Sequence, residues 1–125
     1  VAEAIRERDE AALVDALRAA KGWHRVVLAA ALGDLRAPGP ADVVLRDCLA
    51  ITGPGTQDLR CAALVSLTKR LGAAASSDLR AALAQRDAGL RDYAVVGLAA
   101  VGAALHMTAR TATSKVRTAR TAIDP

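Results

Sequence analysis

One two-part pattern occurs three times in this chain, and it restricts the folds open to it. An arginine stands seven residues before a leucine at Arg25 and Leu32, at Arg60 and Leu67, and at Arg91 and Leu98. The three arginines are 35 and 31 residues apart. Ahead of each lies a leucine pair four apart: Leu13 and Leu17, Leu45 and Leu49, Leu79 and Leu83. Between the arginine and its leucine, Leu28, Ala63 and Ala94 share one register, and Ala29, Leu64 and Val95 the next. Spacings of four and seven return a side chain to the same face of an α-helix. Each unit therefore reads as two short amphipathic helices. Such a pair cannot bury its own apolar face, whereas stacked neighbours can bury it for one another.

Composition fits a helical stack. Apolar residues are 53% of the chain, yet aromatics are 2% and phenylalanine is absent. The core must then be built from Ala, Leu and Val, and small side chains let helix backbones approach closely. Ala and Leu are also strong helix formers. The 125 residues suffice for one domain, burying about two-thirds of the unfolded surface. Gly22, Gly33, Ala37–Pro40, Thr52–Gly55, Gly72, Gly89 and Gly102 punctuate the chain. Helices are predicted near 9–20, 23–35, 41–51, 57–71, 78–87, 90–101 and 103–123. Asp9, Asp42, Asp58 and Asp78 fall near predicted helix starts, where side-chain oxygens cap free N–H groups.

The stretches "LRCAALVSLTKRLG" (Leu59–Gly72) and "RDAGLRDYAVVGLAAVG" (Arg86–Gly102) resemble HEAT repeats, most closely the short bacterial HEAT-like type of phycobilin lyase subunits. The resemblance covers roughly residues 9–102. The first repeat departs from it, with Trp23 and His24 where the others have Asp58–Leu59 and Gly89–Leu90. The resemblance implies an all-α fold: a right-handed α-solenoid of stacked antiparallel helix pairs, about three repeats plus a terminal helix. Residues 1–102 would form the solenoid, with repeats at about 9–35, 41–71 and 78–101. Residues 1–8 read as the end of a second helix from an earlier repeat, and the initial Val as a processed start or a cut from a longer chain.

An arginine in the first turn of a helix is opposed by the macrodipole, so an acid should offset it. The resemblance implies that turn acids and helix arginines join successive repeats as a ladder. Arg25, Arg60 and Arg91 would be its cations, and Asp58 and Asp87 its acids. The alternative is an anion site built from the arginines on the inner face.

The formal net charge is +4, but it is uneven. Residues 1–50 hold 7 Lys/Arg against 8 Asp/Glu, residues 51–102 hold 6 against 4, and residues 103–125 hold 4 against 1. In that last segment Leu105, Ala109, Ala112, Val116, Ala119 and Ile123 are spaced 4, 3, 4, 3, 4, which is one narrow helical stripe. Arg110, Lys115, Arg117 and Arg120 lie off it. Three readings stay open: a helix capping the stack, a basic helix for a polyanionic partner, or a disordered tail favoured by its many threonines.

No catalytic constellation emerges, so an enzyme is not expected and neither is a cofactor. "TGPGTQ" (Thr52–Gln57) lacks the Lys-Ser/Thr of a phosphate loop. His24 and His106 have no second ligand at metal spacing. His24 is expected half-buried, in the slot of Leu59 and Leu90. Cys48 and Cys61 are expected as buried thiols rather than a disulfide. Tyr93, aligned with Val27 and Ala62, is expected to pack. Trp23 opens its helix and either anchors a partner or covers an incomplete repeat. No membrane span and no signal peptide are read, so a cytoplasmic location is expected.

The expected function is a non-catalytic protein–protein scaffold. In HEAT-like folds second helices line the concave face, which would place Asp34, Lys69, Arg70 and Asp92 on it. Nucleic-acid binding through Arg110, Lys115, Arg117 and Arg120 is the alternative, and an accessory subunit of a lyase the third. Candidate binding residues are Trp23, His24, Lys69, Arg70, Asp92 and those four tail cations.

Overall fold

The computed structural model describes the backbone of residues 2–102, with side-chain surroundings from Glu7 onward. Every regular element among them is helical. Helix α1 is Ala2–Ala19, α2 Trp23–Leu32, α3 Ala41–Ala50 and α4 Gln57–Leu71. A 3-10 turn at Gly72–Ala75 leads directly into α5, Ser76–Leu83. Helix α6 covers residues 88–102.

Three predicted boundaries are corrected. Residues 2–8 do not end a separate helix; α1 is continuous through them. "RERDE" contains no glycine or proline to break it, and Asp9 is an exposed mid-helix residue rather than a cap. The second helix ends at Leu32, not Leu35. There the bonding tightens to i→i−3, with Gly33, Asp34 and Leu35 donating to Ala30, Ala31 and Leu32. The predicted helix at 78–87 starts and stops earlier, which frees Asp87 to cap α6: Oδ1 accepts from the Leu90 N–H at 3.2 Å. Gly72 adopts φ 54°, a left-handed geometry that L-residues resist, and so turns the chain out of α4.

Helix α1 packs on α2 and α3, α2 and α3 both pack on α4, and α4 meets α5. One core gathers Val14, Leu17, Ala29, Leu32, Leu45, Ala63 and Leu67. A second gathers Cys61, Leu64, Leu79, Leu90 and Ala94. Helix α4 serves both from opposite faces. The absence of aromatics from the described buried core has a geometric consequence here. Ala29, Ala63 and Ala94 are wholly buried, and α2 sits so close to α4 that a β-carbon on Gly33 would lie 2.7 Å from Ser66 Oγ. Ser66 is satisfied in that contact by donating to the Ala29 carbonyl at 2.6 Å.

Candidate functional site: a surface on the second helices and a buried arginine

Lys69 and Arg70 are neighbours in sequence with opposite fates. Lys69 is exposed. Arg70 is 3% exposed, so its expected place on a binding face is corrected. Its Nε donates to Asp42 Oδ1 at 2.7 Å. Its Nη1 donates to the carbonyls of Leu32 at 3.1 Å and Leu35 at 2.8 Å. Its Nη2 donates to Glu10 Oε1. The two carboxylates are held in turn: Glu10 Oε1 also accepts from the Ala41 N–H at 3.1 Å, and Asp42 Oδ2 accepts from the Gly39 N–H at 2.9 Å.

The electrostatics of this cluster are coherent. A cation meets the carbonyl end of α2, and two carboxylates meet the amide end of α3, each where the helix dipole favours it. Arg70 thereby joins α1, α2, α3 and α4. With all three guanidinium nitrogens bonded inside the fold, it is a structural group rather than a ligand-binding one. No pattern in the sequence marks it, because its partners lie 60 and 28 residues away.

The ladder is met in part. Arg60 Nη2 lies 3.1 Å from Asp87 Oδ2, across one unit to the next, with the two side chains 13% and 10% exposed. That contact is charge-to-charge: Arg60 Nε and Asp87 Oδ2 are buried without hydrogen-bond geometry. Arg91 turns instead to the Gln85 carbonyl at 3.3 Å. Arg25 is half-buried near the Cys48 thiol. Asp58 is exposed in the first turn of α4 and makes no ion pair among the described residues. A different ion pair links the first helices: Arg46 of α3 binds Asp78 of α5 through Nε at 3.0 Å and Nη2 at 3.2 Å.

Both cysteines are free and buried. Burial raises the Cys48 thiol above its ordinary pKa, partly offset by Arg25. Burial likewise raises Cys61. Neither thiol is poised as a nucleophile.

The surface that remains is formed by the second helices. Register places Val27 and Ala30 on α2, and Asp34 just beyond its end, in line with Ala62, Val65 and Lys69 on α4 and with Tyr93, Val96 and Ala100 on α6. The spacing within each row is 3 and 4, one helical face. Val27 is 51%, Tyr93 51% and Val96 67% exposed. Val65, Lys69, Tyr93, Val96 and Ala100 line a shallow groove of about 220 Å³ between α4 and α6. Tyr93 is therefore a groove residue, not the packing residue expected. Trp23 opens α2 and is 65% exposed. His24 is exposed rather than half-buried, and Asp34 and Asp92 are exposed as well. His106, Arg110, Lys115, Arg117 and Arg120 lie outside the described residues.

A larger recess, about 440 Å³, runs along α1 beside Pro40. Its innermost carboxylate, Glu10, is already tied to Arg70, and the other charged groups there are at the surface. No described helix is long and apolar enough to cross a membrane. Comparison of the chain with protein-family models, curated proteins and solved structures gives no match.

Proposed function

We propose that this chain is a non-catalytic protein-interaction scaffold, a right-handed α-solenoid of HEAT-like helix pairs that holds a partner protein against its second helices. The observation that carries this reading is an apolar row on matching faces of α2 and α6, with the half-buried Ala62 and Val65 between them on α4. Val27, Tyr93 and Val96 are each more than half exposed on helices that bury another face in the core. Scattered exposed apolar residues need no explanation, but a row that recurs with the repeat is what an interaction face would require. Tyr93 and Trp23 supply the residue types that dominate interface energetics. The α1–α3 and α2–α4 contacts, first helix on first and second on second across one repeat boundary, fit the stacking a solenoid requires.

The test uses the full chain. A partner captured by in-cell crosslinking is purified and its affinity measured directly. Tyr93→Ala and Val96→Asp should weaken binding about tenfold or more while leaving the helical signal intact. Equal affinity in both variants would remove this surface. The nucleic-acid reading is separated by a gel shift in which Arg110, Lys115, Arg117 and Arg120 become Ala. Loss of a shift there, with no protein partner found, would replace the proposal.

A further inference from the structure

Along the second-helix surface, the row on α4 is charged only at its two ends. Asp58, Ala62, Val65 and Lys69 follow at spacings of 4, 3 and 4, one helical face. Asp58 lies in the first turn of α4 and Lys69 in the last, about 16 Å apart. Both are exposed, and neither makes an ion pair among the described residues. Between them Ala62 and Val65 are half-buried, whereas Val27 on α2 and Tyr93 and Val96 on α6 stand more than half exposed. Helix α4 is therefore the floor of the shallow groove and α6 its wall. Few groups there can bond an occupant. Thr68 already donates its hydroxyl to the Leu64 carbonyl at 2.8 Å, which leaves Lys69 and the Tyr93 hydroxyl as the free polar groups of the lining. Gly89 and Ala100, at the matching ends of the α6 row, add no competing charge. Asp92 is turned about 100° from Tyr93, away from Gly97.

We infer that this groove takes an amphipathic helix of a partner protein, laid antiparallel to α4, with a carboxylate near its N-terminus opposite Lys69 and a cation near its C-terminus opposite Asp58. This occupant presupposes the partner-binding surface proposed above. An apolar lining between two opposite charges is complemented by an apolar stripe between two opposite charges. A helix supplies both at fixed spacing, because residues at i, i+4, i+7 and i+11 share one face and span the same distance that separates Asp58 from Lys69. Dipoles then set the direction. An acid stabilises the N-terminus of a helix and a base its C-terminus. A helix running against α4 therefore meets each charge of α4 with the charge its own end prefers. A parallel helix would need a base at its start and an acid at its end, both against its own dipole. A polyanion fits worse, since the row offers one cation and sets an acid on the same face. The two charges also suit the dipole of α4 itself, so the direction of the bound helix is what distinguishes recognition from self-stabilisation.

The probes are two alanine-based peptides of about 18 residues, long enough to hold a helix. Both carry two leucines on the 4, 3, 4 spacing of the α4 row, flanked by Glu then Lys in one peptide and by Lys then Glu in the other. Their affinity for the full chain is read by fluorescence anisotropy at low salt. The Glu-first peptide should bind about tenfold more tightly, and added salt should shrink the difference. That peptide is also the better helix by itself, so the decisive readout is inversion. Lys69→Glu combined with Asp58→Lys should reverse the order of affinities. Lys69→Gln combined with Asp58→Asn, which sets no charge against the dipole of α4, should erase the charge-dependent part of the difference. Binding of neither peptide, equal affinity for both, or an unchanged order in the reversed variant would overturn the proposal. Self-association of the chain that excludes both peptides would overturn it in favour of a second copy. If the peptides are not told apart while Tyr93→Ala still weakens a captured partner, this occupant falls and the surface stands. If Tyr93→Ala and Val96→Asp leave that partner's affinity unchanged, the surface itself falls.

Discussion

Arg70 Nε and Asp42 Oδ1 sit 2.7 Å apart in a site where the arginine side chain has no exposed surface. Two charges removed from water are tolerated only when each lone pair and proton is matched. Here Glu10 and two carbonyls supply the further partners. Removing one member strands the others. Arg70→Met should therefore destabilise the fold by about 3–5 kcal/mol in urea unfolding. Arg70→Lys should recover only part, because an ammonium cannot span two carboxylates and two carbonyls as a fork does. Full recovery by lysine would mean that charge, not geometry, holds the cluster.

The surface pair Arg46–Asp78 makes two contacts as well, yet Arg46 is 45% exposed. Solvent screening should limit Arg46→Ala to about 1 kcal/mol or less. Each arginine makes two carboxylate contacts, so the contrast with Arg70 measures what burial and two further carbonyl bonds add.

Asp87 has two roles that substitution can separate. It caps α6 through the Leu90 N–H and stands against Arg60. Asp87→Asn keeps a capping oxygen and removes the charge. Asp87→Ala removes both and should cost about 1 kcal/mol more in thermal or urea unfolding. Equal losses in the two variants would assign the effect to the ion pair alone.

Close approach makes an opposite prediction for two glycines. Gly33→Ala drives a β-carbon against Ser66 Oγ at 2.7 Å and its Cα at 3.1 Å, with backbone behind it. It should cost about 1–3 kcal/mol. Gly89→Ala meets the end of the Gln57 side chain, which can swing aside into solvent, so it should be close to neutral. Hydrogen exchange of α2 and α4 amides localises the first effect.

The cysteines predict a pH dependence with a definite sign. Burial raises both thiols, so the folded chain holds their protons at a pH where the unfolded chain has released them. Stability falls wherever the folded state binds more protons. Their contribution is complete below the unfolded thiol pKa, about 8.5, and is lost as pH rises past it towards the raised folded values. Cys48→Ala/Cys61→Ala should flatten the alkaline limb of the stability curve. In the native chain below that limb, both thiols should react with a thiol reagent only as fast as the fold opens.

How far the sequence could be read follows from the range of each interaction. Leu-x3-Leu and Arg-x6-Leu are local periodicities set by the 3.6-residue turn, and they located α2 to α6 to within a few residues, whereas α1 begins well before its predicted start. The same register aligned Tyr93 with Val27 and Ala62, but did not show that Tyr93 would be exposed. Direction was less legible. Lys69 and Arg70 are indistinguishable as letters, but 100° of helical rotation sends one to solvent and the other to Glu10 and Asp42. His24 and Leu59 share a register, yet only the leucine has a neighbour to bury it.

Taken alone, the chain's letters determined that it would form short helices in repeated pairs, that these would pack on alanine and leucine, and that its thiols would be buried. Tertiary structure alone decided which arginine became a buried hub and which stayed near the surface, and that Asp87 would cap one helix while facing the cation of another. Helix formation depends on neighbours three and four residues away, which a sequence displays directly. The Arg70 cluster depends on groups 28 to 60 residues apart, and those meet only once the helices have packed.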